Sequence, residues 1–339
     1  MNSYFPQMPT PPEQRPKRDL FRERLQIAGP ALGISFIFLF SMMVQWVIVA
    51  LVSRFAPQIT DADWYRWMLS SVSMYVFAMP LSVCFYRLSR SEPPEKKKLS
   101  LPVFLGLMAV CFGLTYAGNY IGLFVNAVIS FLTGQEVVNE LETLTIASPL
   151  WVNLLCVGIL APILEEIFYR KMVIDRLRRY GDLPAILISG IAFGLIHGNF
   201  GQFFYAAMLG MVFGYIYINT GNILHTVLLH MAINLVGGVY SSEMLKLLDT
   251  ELLASDPMAA LSQNTAGVVM YILYLLFLML VFVGSIVSAV LLIVYKRKPF
   301  KKAEQPLSAG EWGRVILLNP AVWVFAFLVL LLFLSSYMV

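Results

Sequence analysis

Two stretches of this chain, 27–52 and 268–295, run without a single charged side chain. Each exceeds the roughly 20 residues that a helix needs to cross about 30 Å of hydrocarbon. Composition extends the point to the whole sequence: 59% of its 339 residues are apolar and 13% charged, against about 45–50% and about 25% in a soluble domain. The fold class is therefore all-α, a polytopic membrane helical bundle. A soluble globule, a disordered chain and a nucleic-acid-binding surface are excluded as readings of the whole chain.

Further apolar runs bring the expected crossings to about nine, at 27–52, 69–86, 101–132, 150–173, 183–197, 203–218, 223–240, 268–295 and 321–339. The third is long for one straight span, which predicts tilt, a bend or an extension beyond the bilayer. With the N-terminus inside, the internal segments hold twenty-one Lys and Arg and the external ones three, Arg54, Arg66 and Lys246. That asymmetry predicts a cytoplasmic N-terminus and an external C-terminus. The chain then divides into a polar cytoplasmic tail (1–26), N-terminal spans (27–149), a core (150–242), an external loop (243–267) and C-terminal spans (268–339). Its localisation is that of a multi-pass integral membrane protein, in the cell membrane if the chain is bacterial. Cys84, Cys111 and Cys156 fit no metal or disulfide spacing and read as small buried hydrophobes. Gly210 and Gly214 read as a close helix-packing seam.

An ionisable side chain at depth costs about 2.5–3.5 kcal/mol on insertion scales, so the residues that break the apolar pattern mark where chemistry can occur. They gather in the fourth to seventh spans: Glu165, Glu166, Arg170, His197 and His230, with Asn234 beside the last. Glu166 and Arg170, four apart, share a helix face on which opposite charges pair. Glu165 points about 100° away and is free to face a cavity. Pro162 removes a backbone hydrogen bond just before the two acids. Taken alone, the Glu-Glu and Arg-Lys pairs also fit a helix leaving the membrane, although Arg176, Arg178 and Arg179 indicate that the helix continues. Phe193 stands one turn before His197, and His230 and Asn234 share a face. A lone intramembrane His is commonly an interhelical hydrogen-bonding group. Two of them near paired carboxylates supply the mixture that acid–base chemistry on water requires.

In order, Glu165-Glu166-x-x-x-Arg170, Phe193-x-x-x-His197 and His230-x-x-x-Asn234 resemble the motifs of the CPBP (Abi/CAAX) family of intramembrane proteases, which includes the type II CAAX prenyl endopeptidases. The resemblance covers about 150–240. It implies that Glu165 is the general base, that His197 helps to position the attacking water, and that His230 and Asn234 donate to the oxyanion. It further implies that Glu166 and Arg170 hold the helix and the local field, and that Phe193 packs near the site. The implied partners are the lipid bilayer and a membrane-associated protein or peptide substrate, of the prenylated CAAX type or a leader peptide, and no nucleic acid. No cofactor is favoured. The alternative is zinc held by Glu165, His197 and His230 with an open fourth position.

A rival from another class is a non-catalytic transporter or immunity-type membrane protein that uses the same buried charges. The intact motifs favour an enzyme over it. One geometric demand follows from any shared site. At about 1.5 Å per residue, His197 lies about 24 Å from the turn near Gly181 and His230 about 12 Å from the turn near Asn222. Both can meet Glu165 only if the fourth and fifth helices overhang the membrane or tilt strongly.

Overall fold

The computed structural model describes residues 19–294, 300–303 and 306–337; most of the tail read at 1–26, including its first basic residues, and Lys296 to Lys298 lie outside them. Among the described residues there is no strand, only helices and short connections. That is the expected outcome for runs this apolar, since a helix satisfies its backbone groups within itself where no water can reach them.

The helices are α1 (Leu20–Phe55), α2 (Tyr65–Tyr86), α3 (Leu101–Thr133), α4 (Glu140–Ala147), α5 (Leu150–Tyr180), α6 (Asp182–Leu195), α7 (Phe200–Thr220), α8 (Ile223–Leu247), α9 (Thr250–Ser255), α10 (Pro257–Gln263), α11 (Thr265–Val294), α12 (Ala309–Leu317) and α13 (Pro320–Tyr337). Eight of these are long and apolar enough to cross a membrane, and α6 is a shorter apolar helix of 14 residues. The nine runs read from sequence thus become eight full-length spans and one helix of about 21 Å. The long third run is one uninterrupted helix of 33 residues. The segment 243–267 holds the end of α8, the short helices α9 and α10, and the start of α11.

The bundle is arranged inside out relative to a soluble protein. Leu276, Met279, Leu280, Phe282 and Val283 on α11 are exposed, whereas Arg170 and Glu166 are wholly buried. α6 packs along α7, α7 along α3, and α3 along α11, while α1 lies against α2 and α13. α5 and α8 meet along the two segments that carry the candidate acids and His230.

Small residues set the closest of these seams. A Cβ on Gly210 would stand 2.9 Å from the Cα of Gly190, and one on Gly214 would stand 3.1 Å from the Ile174 side chain. The pair read from sequence as a packing seam is one. Gly210→Val is expected to lower the thermal midpoint in detergent by several degrees, because overpacking costs about 1–3 kcal/mol. Gly284→Ala, where the added methyl meets only the Ala109 side chain at 3.6 Å, serves as the neutral control.

The end of the bundle that carries the basic loops is tied by buried polar contacts. The Glu23 carboxylate accepts from the Tyr180 hydroxyl at 2.8 Å and from Arg179 at 3.3 Å. Asp182 accepts from Arg178 at 3.0 Å and from the backbone N–H of Lys301 at 2.8 Å. These contacts fix the start of α6 and so the direction in which its far end approaches the acids of α5.

Of the two helices expected to overhang or tilt strongly, α6, at 14 residues, is too short to overhang, and α5 has the length for it. Its 31 residues span about 46 Å, against about 30 Å of hydrocarbon. Helix side chains also lean toward the N-terminus of their own helix, so Phe193, near the far end of α6, leans back along it, while His197 lies in the turn just beyond.

Candidate active site

Within α5 the backbone changes register twice. Asn153–Leu160 and Ile167–Ile174 are π-helical, and Glu165 and Glu166 lie on the six-residue α-helical piece between them, Ala161–Glu166. Wide turns of this kind concentrate at functional sites because they re-aim side chains and free backbone groups. The freed group here is the carbonyl of Val157. The N–H of Ala161 bonds to Cys156 rather than to Val157, and the next residue in the wide register, Pro162, has no N–H to give. Asn234 of α8 fills the gap, donating from Nδ2 to the Val157 oxygen at 2.9 Å.

Glu166 and Arg170 form a fully buried ion pair. Arg170 Nε donates to Glu166 Oε2 at 2.8 Å and Nη2 donates to Oε1 at 3.1 Å, with both side chains at 0% exposure. Nη1 donates to Ser189 Oγ on α6 at 3.2 Å and to the Gly210 carbonyl on α7 at 3.1 Å. The rings of Phe193 and Phe213 cover the guanidinium at 5.7 and 5.8 Å. This settles the alternative left open by the sequence: Glu166 and Arg170 are not a solvated helix end but the joint that fastens α5 to α6 and α7.

The same carboxylate reaches His230, whose Nδ1 lies 3.2 Å from Glu166 Oε1. An ionised carboxylate only accepts, so Nδ1 carries the proton and Nε2 is turned the other way. Nε2 stands 3.9 Å from Glu165 Oε2, beyond direct hydrogen bonding and within the span of a shared water. Tyr75 of α2 is a further polar neighbour of Glu165.

His197 comes just after the end of α6, in the turn that leads to α7. Its Nδ1 bonds to the Phe193 carbonyl at 2.8 Å. A carbonyl only accepts, so the neutral ring holds its proton on Nδ1 and presents Nε2 as an acceptor. No direct hydrogen bond or ion pair joins His197 to Glu165 among the described residues. Phe193 stands between His197 and His230: its ring is edge-on to the first at 5.2 Å and to the second at 5.7 Å, near-perpendicular to both. It is the spacer that sets the separation of the two imidazoles.

The structure thus brings Glu165, Glu166, Arg170, Phe193 and His230 into one cluster, places His197 across the Phe193 ring, and ties Asn234 to the backbone just before the acids. Asn234 is already engaged by Val157, which leaves its second amide hydrogen and its Oδ1. His225 is apart, half-buried, with Phe104 as its ring neighbour at 6.4 Å. Cys84 is exposed, unlike Cys111 and Cys156. Tyr75, Ser189 and Phe213 were not legible as site neighbours, since each is an uncharged residue within an apolar run. A shared backbone feature connects Tyr75 to the rest. Among the described residues four segments are π-helical: one holds Tyr75 (Val72–Ala78), two flank the acids, and the last, Leu235–Tyr240, begins directly after Asn234.

Among the described residues no group of three or more His, Cys, Asp or Glu side chains is placed to hold an ion. Nδ1 of His230 is committed to Glu166, which leaves its Nε2, 3.9 Å from Glu165 Oε2, as the nitrogen open to a proton or to an ion.

Residues 147–236 match the family of type II CAAX prenyl endopeptidase Rce1-like proteins. The matched segment contains all seven motif residues, so the resemblance drawn from them holds over this region, about a quarter of the chain. No curated protein and no solved structure gives a significant match.

Proposed function

We propose that this chain, whose residues 147–236 are similar to the type II CAAX prenyl endopeptidases, is an intramembrane endopeptidase that hydrolyses a peptide bond of a membrane-associated substrate. One observation carries the reading. A carboxylate without a cation of its own, Glu165, faces the free nitrogen of an imidazole, His230, at 3.9 Å, and a second carboxylate orients that imidazole from behind. In the proposed reaction Glu165 takes a proton from water as the oxygen attacks the scissile carbonyl carbon. It then returns that proton to the leaving amine, completing hydrolysis with no net change at the carboxylate. His197 accepts from the same water through Nε2 and so aims it. The oxyanion is held by His230, donating from Nε2 when both ring nitrogens hold protons and Glu166 balances its charge, and by the second amide hydrogen of Asn234. Glu166, Arg170 and Phe193 position these groups and touch no substrate.

Water activation on this scheme needs no metal. Purified, active protein is expected to contain far less than one zinc per chain and to keep its rate in a strong chelator. One zinc per chain, with cleavage lost on its removal and regained on its return, would instead assign Glu165, His197 and His230 as ligands. The substrate classes that fit are a prenylated CAAX-type tail and a leader peptide. The rival reading, a transporter or immunity-type protein, predicts unchanged membrane proteolysis and altered ion flux or partner protection when Glu165 is replaced.

A further inference from the structure

The spans outside the matched segment carry no charged group at depth, and on sequence alone they only shield the site. At one point they do more. The last residue of α13, Tyr337, reaches across to the turn that holds His197. Its hydroxyl accepts from the backbone N–H of Phe200 at 2.8 Å and donates to Oδ1 of Asn126 on α3 at 2.8 Å. The N–H it satisfies belongs to the first residue of α7, a helix end whose amides have no partner within the helix. Asn199 serves the amide two residues further along, accepting from Gln202 N at 2.9 Å, while its own Nδ2 donates to the His197 carbonyl at 2.9 Å.

The turn is also gripped by packing. Phe200 stands against Phe333 at 4.9 Å and against Tyr337 at 5.7 Å between ring centres. Gly198 has φ of +69°, and a Cβ there would stand 2.9 Å from the Leu332 Cβ. The residue directly after His197 is therefore under the C-terminal helix at van der Waals distance, in a backbone conformation that favours glycine. From the other side, a Cβ on Gly122 of α3 would meet the Phe200 carbonyl oxygen at 2.6 Å. The His197 turn is held between α3 and α13.

We propose that Tyr337 is a positioning residue for the reaction, acting with Asn126 as a bolt across the His197 turn, so that the end of the C-terminal helix sets where the His197 imidazole stands. This rests on the endopeptidase reading for its kinetic consequence but not for its structural one. A hydrogen-bonded bolt is needed because, among the described residues, His197, unlike His230, has no charged partner to orient it: its side chain is tied to the Phe193 carbonyl in the turn before. Whatever fixes the turn then fixes the ring.

The test uses full-length protein in lipid nanodiscs with Tyr337→Phe, which keeps the aromatic packing and removes the hydroxyl, and with Asn126→Leu and Asn126→Asp, of which only the second keeps an acceptor. Hydrogen exchange is read over 196–202. Cleavage is read with a quenched-fluorescence peptide ending in a farnesylated Cys followed by three residues. The expected result is faster exchange in that turn alone for Tyr337→Phe and Asn126→Leu, an unchanged thermal midpoint, and kcat lower by about tenfold at constant KM, as for a small misplacement of a reacting group. Asn126→Asp is expected to restore both. Unchanged exchange at the turn in Tyr337→Phe, or faster exchange with wild-type kcat, would overturn the proposal. If the wild-type protein does not cut the farnesylated peptide in a Glu165-dependent way, the CAAX-type substrate reading fails while the exchange measurement still decides whether the bolt exists.

Discussion

Glu165→Gln is expected to abolish turnover, lowering cleavage by about 10²–10⁴-fold with the protein still inserted and folded. Glutamine keeps the shape of the side chain and loses only its capacity to take a proton from water. The carboxylate forms no ion pair with Arg170 and stands 3.9 Å from the His230 ring nitrogen, so little stability is lost when its charge is removed. Expression, detergent size-exclusion profile and thermal midpoint should match the wild type. The measurement is cleavage of a membrane-tethered reporter in proteoliposomes. Full activity in this variant would remove Glu165 from the reaction.

Arg170→Met should have the largest effect on the fold. It leaves Glu166 at 0% exposure with no cation and strips donors from Ser189 and from the Gly210 carbonyl. Removing one partner of a buried pair costs about 3–5 kcal/mol, comparable with the net stability of many domains. The single variant is expected to aggregate or melt many degrees early. The double variant Glu166→Gln with Arg170→Met removes both charges together and should recover much of the lost stability, because no unpaired ion is left behind. It should not recover activity. Glu166 also holds His230 at 3.2 Å, and a neutral amide there no longer balances a protonated ring. A single variant that melts like the wild type would show that the pair does not fasten α5 to α6 and α7. A fully active double variant would show that His230 needs no carboxylate behind it.

What the sequence could disclose followed from cost. Glu165, Glu166, Arg170, His197 and His230 stood out because charged and titratable groups are expensive in hydrocarbon, and the i, i+4 spacing of Glu166 and Arg170 gave their pairing outright. The helical class and the packing role of Gly210 and Gly214 were equally legible, one from run length and the other from small-residue spacing. Partners that cost nothing locally were hidden. Tyr75, Asn126 and Tyr337 are ordinary residues of apolar helices, and only tertiary packing brings them to Glu165 or to the His197 turn. The π-helical register of α5 was also invisible, although Pro162, which sits between its two wide segments, was in view. Consequently Asn234 read as an oxyanion donor alone, whereas one of its amide hydrogens closes the backbone gap at Val157. Helix length misled in one place: α6 ends at Leu195, so His197 belongs to a turn that other helices must hold.

The central claim is that groups on α5 and α8 and at the end of α6 activate one water to cut an amide. The most direct test incubates proteoliposomes of wild-type protein, in heavy-oxygen water, with total membranes from cells producing the Glu165→Gln variant, and reads new peptide C-termini by mass spectrometry. A set of C-termini each carrying one heavy oxygen, present with wild-type protein and absent with Glu165→Gln proteoliposomes, is the predicted result. The same termini in both samples, or none in either, would contradict it.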